Sequence, residues 1–344
     1  MKRNMDILIF DMDGVLVDVS NSYRETIAQT IRIYFDECFG IKLKPITKAD
    51  ISLFKSAGGF NNDWNLTSGF LLYLLSLSGI PSSPKKKKFS NIHDTVSYLK
   101  DKFSKCKPDI VRLPHKKDLY DFLKMVKSFG GGLNGIQRAL EDSWDGWVYR
   151  MGDLDKENLV KRIFQEVYLG RQFISYYHLE PLFYKGKGLY LNERLLIPRR
   201  ILSLLRKRLR MGIASGRPRF EAEVALKRFG LLSYFDSMVT LDECLEEEGR
   251  IFRSAGKRVK RSKPHPYSIL RAIQEIGLPN PRCGYIGDVV DDMVAANAAK
   301  KEFRLLAIGF LSDRSKLKAF KESLFRAGAD LILRSPDELL HLNN

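Results

Sequence analysis

The feature that most constrains this chain is a short apolar run, Ile7–Phe10 (ILIF), that stops abruptly at Asp11-Met12-Asp13-Gly14. A run of β-branched and bulky residues bounded by turn-forming ones reads as a buried strand. Such a strand delivers polar side chains at its C-terminal end, which in an open α/β sheet is where ligands bind. Its partners lie far along the chain. From about Arg199 a helical pattern over Arg199–Arg210 precedes MGIAS (Met211–Ser215), and a second helical pattern over Arg219–Phe229 precedes SMVTL (Ser237–Leu241). After a basic loop come a helix over Tyr267–Ile276, CGYIGD (Cys283–Asp288), a helix beginning near Asp291, and LLAIGF (Leu305–Phe310). The short strand ADLILR and a helix start at Pro336 close the pattern. Strands alternating with helices imply a parallel sheet with right-handed crossovers, and the N-terminal strand must join it.

About 200 residues separate that strand from the next. The expected solution is two domains, a core of residues 1–19 and 196–344 and an inserted, mainly α-helical domain of residues 20–195. The insert carries helical patterns at Ser22–Phe39, Thr67–Leu77, Asn91–Phe103, Lys117–Phe129, Asn134–Glu141 and Lys156–Leu169, with PSSPKKKK (Pro81–Lys88) as an exposed loop. A length of 344 residues suits two domains. With 44% hydrophobic and 29% charged residues, the composition excludes disorder, collagen and coiled coil.

The longest apolar stretches, such as Gly69–Leu77, fall short of the roughly 20 residues a membrane span needs, and the N-terminus shows no signal-peptide pattern. The expectation is a cytoplasmic protein. Cys38, Cys106, Cys244 and Cys283 are dispersed, as are His93, His115, His178, His265 and His341, so neither structural zinc nor a disulfide framework is expected. The excess of 58 basic over 41 acidic residues gives a net charge of +17, concentrated in Lys85–Lys88, Arg199–Arg210 and Arg253–Lys263. This suits an anionic ligand without choosing one. In the middle stretch Ile201, Leu202, Leu204, Leu205 and Leu209 share a side, so its arginines read as the solvated face of a packed helix.

Polar groups recur at successive strand ends. Asp11 and Asp13 are two apart, and project to one side if the chain is still extended there. Carboxylates at close range repel unless a cation or proton lies between them, and hard oxygen ligands suit Mg²⁺. Asp288 and Asp292 add carboxylates at the same sheet edge. Ser215-Gly216 closes another strand just before a helix N-terminus, a place for a phosphate. Lys263, at the end of the basic loop, is suited to neutralise a phosphoryl oxygen.

With DMDGVL, ASG, Lys263-Pro264 and GDVVDD in this order, the chain resembles haloacid dehalogenase superfamily hydrolases over residues 5–20 and about 196–340. The resemblance is to the phosphoglycolate-phosphatase-like subfamily with a cap inserted between the first two motifs. It implies a Rossmann-like, doubly wound α/β core. Asp11 would be the nucleophile forming an aspartyl-phosphate and Asp13 the general acid/base, with Ser215 and Lys263 binding the phosphoryl group and Gly216 and Arg217 assisting. Mg²⁺ would be held by the Asp11 carboxylate, the Asp13 backbone carbonyl and Asp288, with Asp292 supporting the site.

Dehalogenases of this superfamily lack the second aspartate, so Asp13 points to a phosphatase acting on a small phosphorylated metabolite. A phosphomutase uses the same motifs and remains an alternative. A phosphonate hydrolase would need a Schiff-base lysine that no residue of the insert identifies. A polyanion- or RNA-binding protein would explain the charge but not the aspartates, and neither nucleic acid nor membrane is an expected partner. The insert is longer than the usual cap of this class. Within it, Lys55–Asn65 (KSAGGFNNDWN) reads either as a mobile loop in which Asn62, Asp63 and Trp64 recognise the leaving group or as a turn around a buried Trp64. The Gly130-Gly131-Gly132 cluster reads as a loop or a phosphate contact, and Tyr176-Tyr177-His178 as packing.

Overall fold

The computed structural model describes residues 5–55, 58–60, 62–106, 116–311 and 317–342. His115, and Ser56, Ala57 and Asn61 of the glycine-rich loop, lie outside them. The chain divides into two compact units, Met1–Val19 with Glu193–Asn344, and Ser20–Asn192.

In the first unit the strands are β1 (Ile7–Phe10), β2 (Val17–Asp18), β3 (Arg194–Leu195), β4 (Arg210–Ala214), β5 (Ser237–Val239), β6 (Arg282–Gly287), β7 (Arg304–Phe310) and β8 (Leu331–Leu333). Six form one sheet in the order β5-β4-β1-β6-β7-β8, and every pairing is parallel. β1 is an inner strand, paired with β4 on one side and β6 on the other. Its alternate residues face opposite ways. Leu8 and Phe10 pack with Met211, Ile213, Ile201, Leu202 and Leu205, whereas Ile7 and Ile9 pack with Ala214, Tyr285, Ile269, Ile273 and Met293. Burial on both faces is why the strand reads as an unbroken apolar run. From β1 the chain runs outward through β4 and β5 and then crosses back to β6, β7 and β8. The strand order therefore reverses beside β1, the position at which such sheets open a crevice at their C-terminal ends.

Several expectations are corrected. SMVTL is strand only to Val239, because Thr240 and Glu243 form a capping box that starts the helix Leu241–Ala255, and the basic stretch begins in its last turn. Leu204 is exposed, while Ile201, Leu202 and Leu205 carry the buried stripe. β2 and β3 form an antiparallel pair that the apolar patterning did not reveal, which places Glu193–Leu195 with the first unit.

The second unit contains the helices Tyr23–Phe39, Lys48–Lys55, Asp63–Ser76, Ile92–Ser104, Lys116–Ser128, Gly132–Ala139, Leu159–Leu169 and Gln172–Tyr177. Tyr34, fully buried, donates to the carbonyl of Trp147 at 2.8 Å and accepts from the amide of Tyr149 at 3.1 Å. Both glycine clusters have one packing role. The amide of Gly132 donates to the carbonyl of Gly58 at 2.7 Å, and a Cβ on Gly59 would stand 2.8 Å from the nitrogen of Gly132. The backbones touch, so side chains are excluded there. A buried pair, Arg162 and Glu166, fastens the following segment. Glu166 accepts from Arg162 Nε at 2.6 Å and from the amides of Leu182, Phe183 and Tyr184 at 3.1, 2.7 and 3.0 Å. Among the described residues, no helix is long and apolar enough to cross a membrane, and Cys38, Cys106, Cys244 and Cys283 are free thiols.

Candidate active site

The loop leaving β1 keeps the strand's alternation for three more residues. Met12 is buried in the core under the sheet, which leaves Asp11 and Asp13 on the other side of the chain. Asp11 is buried and Asp13 is partly exposed. The loop then turns sharply, with the amides of Val15, Leu16 and Val17 all directed at the carbonyl of Met12.

Gly14 permits that turn and does more. Its φ of +80° favours glycine, and a Cβ there would lie 2.1 Å from Oδ2 of Asp288. The Asp288 carboxylate, delivered from the end of β6, therefore occupies the space beside the Gly14 backbone. One ligand atom each from Asp11, Asp288 and Asp292 falls within 4.8 Å of the others.

Lys263 stands among these carboxylates. Its Nζ lies 2.8 Å from Oδ1 of Asp11, 2.7 Å from Oδ1 of Asp292 and 2.7 Å from the hydroxyl of Tyr285. Tyr285 in turn donates to Oδ1 of Asp292 at 2.8 Å. Oδ2 of Asp292 accepts the amides of Asp288 and Val289 at 3.1 and 3.2 Å. A carboxylate offers about four acceptor positions, and these four bonds use them. Asp292 thus fixes Lys263 and the Asp288 backbone, and the oxygens left to face a cation are those of Asp11 and Asp288. Hard carboxylate oxygens at this spacing fit Mg²⁺.

The electrostatics follow from burial. Desolvation pushes the Asp11 carboxyl up, Lys263 pulls it down, and Asp292 and Asp13 push it up again, leaving it raised to about 7. Burial opposes the charge on Lys263, but Asp11 and Asp292 overcome it and hold the ammonium above its ordinary value. Tyr285 is held well above the usual phenol range by burial and by the Asp292 and Asp11 charges, so its proton stays on.

Ser215 and Gly216 follow β4. Ser215 is buried, its Oγ accepting the amide of Arg217 at 3.3 Å, whereas Gly216 is exposed with open space beside its Cα. The helix Arg219–Arg228 begins just beyond, but the amide of Arg219 is already taken by Asp242 at 2.7 Å. Arg217 departs from the expectation of a substrate contact. Its guanidinium is buried, with Nε donating to Oδ1 of Asp13 at 2.5 Å and the two terminal nitrogens to Glu193 at 3.0 and 3.3 Å.

Tyr285, Glu193 and Gly14 escaped the sequence reading as site residues. Tyr285 alone carried a signal, since a phenol inside a strand buried on both faces must find a polar partner.

The residues named in the insert are placed within their own unit. Asn62 caps the helix Asp63–Ser76, its Oδ1 accepting the amide of Asn65 at 2.8 Å, and Asp63 lies 3.3 Å from Lys55 Nζ. They form the first turn of a helix rather than a free loop. Trp64 is half-buried, edge-on to Phe164 at 6.1 Å, with the Lys161 ammonium 4.8 Å from its ring centroid.

A parallel sheet of this order, with paired aspartates just after its central strand and a lysine-bridged acidic cluster beside them, defines an α/β core whose polar site lies at the C-terminal edge of the sheet. Residues 197–305 match the haloacid dehalogenase-like hydrolase family. Among curated proteins, an imidazoleglycerol-phosphate dehydratase of Phytophthora nicotianae is 24% identical over 343 residues. That match takes in 97% of this chain but 51% of the relative, so the chain spans about half the length of the curated relative it matches. Two solved structures share the fold. The X-ray structure of a structural-genomics target is 18% identical, with a TM-score of 0.61 and 98% of each chain covered. The phosphatase Tt82 from Thermococcus thioreducens is 20% identical, with a TM-score of 0.54, 93% of this chain and 99% of that one covered.

Proposed function

We propose that this chain is a Mg²⁺-dependent phosphatase that hydrolyses a small phosphate monoester through an aspartyl-phosphate on Asp11. The observation that carries the reading is Lys263, whose ammonium lies within 2.8 Å of both Asp11 and Asp292 while Asp288 fills the cradle beside Gly14. One fixed cation within a cluster of carboxylates makes a place where a dianionic phosphoryl group can approach a carboxylate nucleophile.

Asp11 attacks phosphorus through a carboxylate oxygen, and the bond from phosphorus to the ester oxygen breaks. Asp13, two residues on, gives its proton to that departing oxygen. The resulting Asp13 carboxylate then takes a proton from water as the water oxygen bonds to phosphorus, and the Asp11 oxygen leaves with inorganic phosphate released. Lys263 offsets the charge that otherwise repels carboxylate and phosphoryl group, and Ser215 with the Gly216 backbone holds the phosphoryl oxygens. Asp11, Asp288 and the Asp13 carbonyl would hold Mg²⁺, which supplies further neutralisation of the transferring group. Asn62, Asp63 and Trp64 remain candidates for selecting among esters. Trp64 is the strongest, since Asn62 and Asp63 are engaged in starting their helix.

The test is a panel of phosphorylated metabolites, imidazoleglycerol phosphate among them, assayed with Mg²⁺ and after chelation. Phosphate release that requires the cation, with a phosphoryl group trapped on the Asp11 peptide by acid quench, is the expected result. Transfer to a second hydroxyl of the substrate would make the chain a mutase. No turnover of any ester, or undiminished turnover in Asp11→Asn, would reject both.

A further inference from the structure

Asp13 is held from behind by two residues that have no contact role in the chemistry above. The Arg217 side chain is 1% exposed and Glu193 is fully buried, while Asp13 keeps 33% of its surface. The three form a row, carboxylate, guanidinium, carboxylate. The Arg217 fork meets Glu193 with both terminal nitrogens, which sets the plane of the guanidinium. With that plane set, Nε is aimed at Oδ1 of Asp13.

Glu193 is itself anchored. Its carbonyl accepts from Arg228 at 2.9 Å, and it immediately precedes β3. β3 pairs with β2, and the amide of Leu196 donates to the carbonyl of Leu16 at 2.9 Å, so the strand bearing Glu193 is bonded to the loop bearing Asp13. A buried guanidinium between carboxylates is retained only where its geometry is satisfied on both sides.

Resting on the proposed phosphoryl transfer, we infer that Arg217 and Glu193 are positioning residues for Asp13. Arg217 fixes the Asp13 carboxyl group through Oδ1 and so sets its orientation as it gives its proton to the leaving group and later takes one from water. Glu193 acts at one remove, by holding the Arg217 plane. The alternative for an arginine two residues after Ser215 is contact with the phosphoryl group, and the two roles leave different kinetic signatures.

The experiment compares kcat/KM for an alkyl phosphate and for p-nitrophenyl phosphate in Arg217→Met, Arg217→Lys and Glu193→Gln. An alkoxide needs a proton to depart, whereas p-nitrophenolate is a weak base and leaves without one. Arg217→Met is expected to lower kcat/KM on the alkyl ester about a hundredfold, the scale of one misplaced general acid, and to change the p-nitrophenyl ester no more than about threefold. Arg217→Lys and Glu193→Gln should fall between Arg217→Met and wild type on the alkyl ester. Inhibition by inorganic phosphate should be unchanged, and in an Asp13→Asn background Arg217→Met should have no further effect.

Parallel losses on both esters, weakened phosphate inhibition, or a full additional loss in the Asp13→Asn background would overturn the inference while leaving the phosphatase reading intact. A wild-type chain that releases no phosphate from any ester would overturn both.

Discussion

Replacing the nucleophile should make the core more stable, by an amount that grows with pH. In the folded chain Asp11 is raised from 3.8 to about 7, burial being the main cause. Its folded state therefore holds the proton more tightly than the unfolded one. The linked penalty is absent below the unfolded value, accumulates as pH rises from 3.8 towards 7, and is complete above that. At roughly 1.4 kcal/mol per pK unit the penalty is about 2 kcal/mol near pH 5 and about 4 kcal/mol near pH 8. Asn keeps the volume and carries no charge at either pH. Asp11→Asn should thus be more stable than wild type in chelator by those amounts, since Lys263 retains Asp292 and Tyr285 as partners. Urea unfolding of both proteins at the two pH values, with the difference taken at each, isolates Asp11 from the groups that titrate in common. Millimolar Mg²⁺ should narrow the gap at pH 8, because a cation between Asp11 and Asp288 stabilises only the wild type. A difference independent of pH, or an Asn variant less stable at pH 8, would refute the claim that burial dominates at Asp11.

Gly14→Ala places a methyl group 2.1 Å from Asp288 Oδ2 at a φ of +80°, so Mg²⁺-dependent kcat/KM should fall at least about a hundredfold and the melting temperature by roughly 2–8 °C, the backbone strain costing about 1–2 kcal/mol. Retention of activity within a few-fold would show that Asp288 does not need that cradle. Glu166→Gln removes the charge that holds buried Arg162 and three backbone amides. It should destabilise the inserted unit by about 3–5 kcal/mol and open residues 180–188 to limited proteolysis. Unchanged unfolding and cleavage would mean that the segment is held by other contacts.

The parallel core was legible because its signal is local. A strand buried on both faces must be apolar throughout, and ILIF, MGIA and GYIG each meet that requirement over a few consecutive residues. The polar residues that follow them were legible for the same reason. Strand ends in a parallel sheet share an edge, so the residues that follow β1, β4 and β6, among them Asp11, Ser215 and Asp288, are expected at that edge once the strands are recognised. The helix Leu241–Ala255 was missed although Thr240 and Glu243 stand at capping-box spacing. The basic run beyond it hid the periodicity.

Tertiary structure alone decided which partner each polar or small residue meets. Arg217 follows Ser-Gly at a strand end, where a phosphate contact is the local expectation, yet it points at Asp13 and Glu193, residues 204 and 24 positions away. Nothing within a window of neighbouring residues encodes that choice. It arises because β1, β4 and the β2–β3 pair bring the three side chains into one water-poor space, where an unpaired charge would be far costlier than at the surface. The glycines of the insert behave likewise. Gly59 and Gly132 each look like turn residues alone, and only the packing of their two loops reveals that each excludes a side chain for the other's sake. Sequence by itself determined which residues are apolar, extended or acidic and in what order. The three-dimensional meeting of distant segments determined which carboxylates lie near Lys263, which one is held by Arg217, and which glycines are close contacts rather than hinges. Periodicity is a property of neighbours along the chain, whereas charge pairing and close approach are properties of neighbours in space.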